Sequence, residues 1–209
     1  SNDSFKWLTG KSINVGYAQA EALRVNFVGE LGWELHHPIE MQNYIFDELM
    51  KAGAEFDIKP FGIRAMDSMR LEKSYRLIPR EMSIEYSAYE SGLDRFVRLD
   101  KENDFIGKKA LKDWQDRGAT NGFVTLEVLG IVDADARGSE AIYKNGEVVG
   151  RATSGGFGWR CGKSLALGLV KKDLTSIGTE LEIEILGEKY KSVVIEESPF
   201  DPANESLRS

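Results

Sequence analysis

The texture of the chain changes at Gly118. Before it, apolar residues recur at helical spacing in three places; after it, helical periodicity disappears and short alternating runs separated by turn signals continue to the end. Phe123 to Leu129 alternates, Lys144-Asn145-Gly146-Glu147 carries a two-residue hairpin signal, and Leu181, Ile183 and Ile185 alternate with Glu180, Glu182 and Glu184 before a turn at Gly187. Evenly spaced short strands favour a small barrel or jelly-roll-like domain. The expected fold class is therefore α+β, with residues 1–118 forming a mixed domain and residues 119–209 a small C-terminal β-barrel domain.

In the first part, Ser12 to Leu35 reads as strands, with Gly16 as punctuation. A helix is expected from His37-Pro38, on the spacing of Met41, Tyr44, Ile45, Leu49 and Ala52, with Gly53 as its C-terminal cap. Pro60 introduces a second helix over Phe61 to Lys73. The stretch from Tyr75 to Ser87 reads as irregular or short-stranded, Gly92 to Leu99 as strand, and Ile106 to Arg117 as a third helix ended by Gly118.

Bulk properties limit the partners. A net charge of -7 disfavours broad attraction to nucleic acid or an anionic membrane, so any anionic ligand has to meet locally placed cations. Cys161 is the one cysteine, which excludes an internal disulfide and a cysteine-based zinc cluster and fits a reducing compartment. No apolar run approaches membrane-spanning length and no signal peptide is visible, so a cytoplasmic location is expected.

The stretch Asn26 to Leu35 bears most directly on function. Leu23, Val25 and Phe27 alternate with Arg24 and Asn26 before it, and Glu30, Gly32 and Glu34 oppose Leu31, Trp33 and Leu35 within it. That pattern predicts a half-buried strand pair with a tight glycine-bearing connection, placing a carboxylate beside aromatic residues and Trp33 in the core. From pattern alone, a glutamate following a turn reads as solvated.

Resemblance changes that balance. The run GELGWEL with Gly62 to Lys73, then Tyr89-Glu90-Ser91-Gly92-Leu93, then Asp104 to Leu111, resembles in order the folate-binding region of the glycine cleavage T-protein (aminomethyltransferase) superfamily. Thr153-Ser154-Gly155-Gly156, Gly162 to Leu167 and the ending Ser198-Pro199-Phe200-Asp201-Pro202 are similar to its C-terminal domain. The RLEKSYR wording and the PFDP ending look most like the tetrahydrofolate-binding half of dimethylglycine and sarcosine dehydrogenases.

The resemblance implies a partial folate-binding domain followed by a C-terminal barrel. It also implies tetrahydrofolate as cofactor, with capture of a one-carbon unit from a methylated glycine as methylenetetrahydrofolate. Glu34 is the position at which the family places a ligand-binding glutamate. The expectation is a buried anionic side chain at Glu34, able to accept two parallel hydrogen bonds from the donor edge of a pterin.

Phe27 stands where many relatives carry tyrosine, which keeps ring stacking and loses any role needing the phenol. Arg64 is the substitute candidate for an arginine that relatives place where this chain has Met66. Arg64, Asp67, Arg70, Lys73, Arg76 and Arg80 form a basic concentration suited to folate carboxylates, with an exposed helix of ion pairs such as Asp67 with Arg70 as the equal alternative. Tyr89 and Glu90 are read both as a structural turn and as pocket lining.

No catalytic residue is assigned, because the family's aspartate near the reactive nitrogens lies upstream of Ser1; no metal ligand is assigned, because His36 and His37, adjacent on a strand, point to opposite faces. There is no initiator methionine, and the resemblance begins partway through the family's first folded unit. The chain is therefore expected to be a C-terminal portion of a longer enzyme, weakly folate-binding and nearly inactive alone, with any FAD held by an upstream flavin domain. The alternatives are part of a stand-alone aminomethyltransferase or folate-dependent demethylase, and a non-catalytic binding module.

Two nucleotide motifs fail. Gly162-Lys163-Ser164 ends like a phosphate-binding loop, but Phe157 stands where its first glycine is required; Gly156-Phe157-Gly158 is followed by Cys161 at the dinucleotide-fingerprint position.

Overall fold

The computed structural model describes residues 2–209. The chain divides into two compact units: residues up to Asp67 together with Asp201–Ser209, and Ser68–Phe200.

The first unit contains an antiparallel sheet of β1 (Gly10–Val15), β2 (Ala18–Leu23) and β3 (Glu34–His36), in that order. Period two assigns its faces: Ala18, Ala20 and Ala22 are buried, while Gln19 and Glu21 point to the open side. The β1–β2 turn depends on Gly16, whose φ is +58° and where a Cβ would lie 2.0 Å from the Tyr44 hydroxyl. Tyr17 stacks on Tyr44 with ring centroids 3.8 Å apart.

A 3-10 turn, Ile39–Met41, leads into α1 (Gln42–Gly53), as the apolar spacing predicts. Gly53 does not cap it. The chain continues through a second 3-10 turn, Ala54–Phe56, and Asp57 supplies the left-handed residue at φ 54°. Arg24, fully buried, donates to the carbonyls of Leu207 at 3.5 Å and Ser209 at 2.8 Å, fastening the short helix α4 (Glu205–Arg208) to this unit. The division between the units falls within α2 (Ile63–Leu71), the second expected helix.

The hairpin expected around residues 26–35 is different in form. Strand pairing stops at Leu23 and resumes at Glu34, because the Asn26 side-chain oxygen accepts from the backbone amides of Val28 (3.2 Å) and Gly29 (2.7 Å) and turns the chain locally. Trp33 consequently falls outside the strand and is 44% exposed, not core.

The second unit is dominated by a closed barrel. Its strands are β4 (Asn121–Val128), β5 (Ala141–Lys144), β6 (Glu147–Gly158), β7 (Lys163–Lys171), β8 (Glu180–Ile185) and β9 (Glu188–Ile195), in the order β4-β7-β6-β5-β8-β9. Closure removes the open edges that a free sheet would expose. Val124, Leu126, Val128, Ile142, Ala166, Val170, Leu181, Ile183 and Val194 fill it from successive strands.

The Asn145-Gly146 turn joins β5 to β6 with both residues at positive φ, 53° and 84°, the twist that hairpins favour. β7 is buried on both faces because Leu167, pointing away from the barrel interior, packs against Leu71 and Phe123. The Gly162-Lys163-Ser164 run lies at the β6–β7 turn and enters a strand, not the helix a phosphate loop requires.

The third helix, α3 (Lys108–Arg117), ends at Gly118 with φ 80°, as its sequence indicates. Gly92 to Leu99 is not a strand. It forms turns around a 3-10 segment, Asp94–Phe96, in which Phe96 and Val97 bond back to Leu93 and Asp94.

Candidate functional site

On the open face of the first unit's sheet, β3 places Glu34 and His36 on the same side. His36 Nε2 lies 3.3 Å from Glu34 Oε2, and the side chains are 59% and 54% exposed, so Glu34 is not the buried anion expected: it stands on a sheet face that no other element covers in this unit. Glu21 faces His36 directly across the β2–β3 pair, with Leu23 opposite Glu34. Ser12, opposite Glu21 on β1, donates its hydroxyl to Glu21 Oε1. Glu34 Oε1 has no partner among the described residues. A carboxylate with one oxygen engaged and one open can receive a pair of N–H donors.

Phe27 sits half-buried in the connection between β2 and β3 rather than on a strand. Arg64 lies in the first turn of α2 and is exposed. Glu34, Phe27 and Arg64 thus belong to the first unit, and Tyr89 and Glu90 to the second.

In the second unit, Tyr89 lines a cavity of about 800 Å³ together with Trp114, Phe123, Asp94, Lys172 and Glu197. The Tyr89 hydroxyl is buried and has no hydrogen-bond partner among the described residues, a state that a bound polar group would relieve. Glu90 is different. Its carboxylate accepts from the Ser87 amide (3.0 Å) and hydroxyl (3.1 Å), the Thr120 hydroxyl (3.1 Å) and both Asn121 nitrogens (3.3 Å each). Burial pushes its carboxyl up, but the hydrogen bonds from Ser87, Thr120 and Asn121 outweigh that and hold it below the ordinary glutamate value. Its backbone carbonyl also accepts from the Phe123 amide at 2.8 Å, so Glu90 fastens a turn to β4.

The basic concentration divides: Arg64 and Arg80 are exposed, whereas Arg70, Lys73 and Arg76 are buried and are not an open anion cradle. Arg70, Glu72, Lys73 and Glu81 are all buried. Arg70 reaches Glu81 Oε2 at 3.4 Å, the Tyr75 carbonyl at 3.0 Å and the Ser154 hydroxyl at 2.8 Å. Glu81 also accepts from Thr153 and Ser154, both at 2.6 Å, and from the Leu77 amide at 2.8 Å.

Glu72 takes the Arg160 and Cys161 amides and the Arg160 guanidinium. Arg76 grips Glu197 through two nitrogens, at 2.6 and 3.0 Å, with its guanidinium 3.7 Å from the Phe123 ring centre. RLEKSYR is therefore a fastening strip against the barrel. Its charges were visible in sequence; their burial was not, although Thr153-Ser154 on β6 supplied part of the matching polar set. Cys161, beside this strip, has its thiol pushed up to about 11 by burial and then by the Glu72 carboxylate, which leaves it a poor nucleophile at neutral pH.

Comparison with known proteins gives the class. The GCVT N-terminal domain matches residues 1–101 and the glycine cleavage T-protein C-terminal barrel domain matches residues 122–201. The chain belongs to the glycine cleavage T-protein (aminomethyltransferase) superfamily.

Among individual relatives, it is 42% identical over 94% of its length to human mitochondrial dimethylglycine dehydrogenase, covering 23% of that protein. It is 32% identical over its whole length to mouse mitochondrial sarcosine dehydrogenase, again covering 23%. An aminomethyltransferase of Geobacillus is 32% identical over 90% of the chain, which covers 51% of it. The chain thus spans about a quarter of the dehydrogenases and about half of the transferase.

The fold matches the crystal structure of glycine cleavage system aminomethyltransferase T from Bartonella henselae, with a TM-score of 0.79 at 23% identity over 92% of this chain and 52% of that one. Among the described residues, no helix is long and apolar enough to cross a membrane.

Proposed function

We propose that this chain supplies part of the tetrahydrofolate site of a dimethylglycine or sarcosine dehydrogenase-like enzyme, in which a one-carbon unit from a methylated glycine is captured as methylenetetrahydrofolate. The observation that carries this is Glu34: a carboxylate standing on an open sheet face with one oxygen free, in a chain whose relatives are methylated-glycine dehydrogenases and aminomethyltransferases. Tetrahydrofolate supplies the nitrogens that take up the one-carbon unit; this chain's share is binding and orientation.

Glu34 accepts the N–H donors of the pteridine edge, Phe27 offers a ring for stacking, and Arg64 meets an anionic tail. Within the second unit, Tyr89 offers a polar ligand group in its own cavity a hydroxyl that has no partner among the described residues, and Glu90 holds the turn that carries Tyr89. Residues 1–118 form the folate-side domain in this assignment and residues 119–209 the closing barrel. Proton transfer and any flavin-dependent step belong to regions other than this chain, and the single cysteine suits a reducing compartment such as the cytoplasm.

The test is calorimetric titration with tetrahydrofolate of the protein and of Glu34→Gln. Hydrogen bonds to a desolvated charge contribute about 1.5–3 kcal/mol each, so the variant is expected to bind at least tenfold more weakly. Equal affinities for the two proteins would remove Glu34 from the site.

A further inference from the structure

We propose that His36 is a positioning residue for the Glu34 carboxylate and so sets the fit of the site to a flat ring with adjacent N–H donors; the proposal rests on the assignment of Glu34 to a pteridine. Residues 34 and 36 share a face by strand alternation, and the Nε2 to Oε2 separation of 3.3 Å puts the imidazole beside one carboxylate oxygen only. An ionised carboxylate offers about four lone-pair sites. An Nε2–H donated to Oε2 occupies one, leaving Oε1 and the far side of Oε2 for two parallel donors.

Both side chains are more than half exposed, so the contact contributes little to folding. Its effect falls on the mobility of Glu34. A glutamate on an open sheet samples several rotamers, and fixing it before the ligand arrives removes part of the ordering cost of binding. The imidazole also has an acidic neighbour on the adjacent strand. Glu21 faces it across the strand pair, at the separation where opposed side chains interact, and Ser12 ties Glu21 down in turn. The open face thus carries a row, Ser12, Glu21, His36 and Glu34, in which acidic groups flank a single imidazole.

The probe is 6-methyltetrahydropterin, which has the donor edge of the ring and no anionic tail, so Arg64 does not enter. Dissociation constants are measured for the unmodified chain, His36→Ala, His36→Gln, Glu34→Gln and the His36→Ala, Glu34→Gln pair. His36→Ala is expected to weaken binding roughly fivefold, the scale of immobilising one long side chain. His36→Gln, which keeps a donor, is expected to return within about twofold of the starting value. In the Glu34→Gln background, His36→Ala is expected to have no further effect.

NMR scalar couplings along the Glu34 side chain of the ligand-free protein provide a reading independent of binding: one dominant rotamer is expected, with rotamer averaging in His36→Ala. Unchanged affinity in His36→Ala, an equal loss in both backgrounds, or a Glu34 side chain equally mobile with and without His36 each overturns the positioning role. A Glu34→Gln protein that binds the pterin normally, or an unmodified chain that shows no saturable binding, overturns instead the assignment of the site itself.

Discussion

Replacing Glu81 by glutamine tests whether the buried ionic strip is what holds the 70–91 segment to the barrel. The Glu81 side chain is 0% exposed, and its two oxygens receive four donors: Thr153 and Ser154 hydroxyls on Oε1, the Leu77 amide and Arg70 on Oε2. Glutamine is nearly the same size, so no cavity forms and packing is preserved. Its NH2 group has to face one of the two pairs. Turned toward Arg70 and Leu77 it meets donors that cannot accept; turned toward the hydroxyls it meets groups that can rotate and accept.

The second orientation wins, leaving a neutral carbonyl opposite Arg70, whose side chain is likewise 0% exposed. Removing one charge of a buried pair costs about 3–5 kcal/mol, and retention of the carbonyl contact puts the expected loss near the lower end, about 3 kcal/mol. For a chain of 209 residues that corresponds to a fall in Tm of about 6–12 °C. Urea denaturation followed by circular dichroism measures it, with a lower midpoint and an unchanged slope. A loss under about 1 kcal/mol would refute the argument, since the Arg70–Glu81 charge pair would then not be important for stability.

Two further outcomes follow from geometry already described. Gly16→Ala forces a left-handed backbone onto a residue with a Cβ and drives that carbon into the Tyr44 hydroxyl; a loss of about 1–3 kcal/mol in the same denaturation experiment is expected. Alkylation of Cys161 by iodoacetamide should titrate with a midpoint of about 11 in the folded protein, against about 8.5 for an unfolded thiol. Because the folded value is the higher one, the thiol's contribution to stability is complete below the unfolded value and disappears as pH rises through about 11.

Features set by neighbouring residues were legible in the sequence. The Asn145-Gly146 hairpin, the end of α3 at Gly118, the span of α1 and the alternation of β8 all follow from turn chemistry and periodicity within a few residues. Gly92 to Leu99 misled because alternation cannot report whether a partner strand exists; here the backbone bonds to itself across three residues instead. The hairpin near Glu34 opened because one Asn26 side chain competes for the amides that a strand would have used. The fastening role of Arg70, Glu72 and Arg76 was beyond reach, since their partners lie up to 121 residues away and only the fold reveals that water is excluded from them.

Arg24 gives the first unit an unusual dependence on sequence order. It gathers the carbonyls of Leu207 and Ser209, so one compact unit is stitched from residues up to Asp67 and residues Asp201–Ser209 while the intervening Ser68–Phe200 forms another. No single scission liberates either unit intact, since α4 follows Ser68–Phe200 in sequence yet belongs with the residues before it. Loss of residues 205–209 would register as damage around Arg24, whose buried guanidinium would lose both of those acceptors.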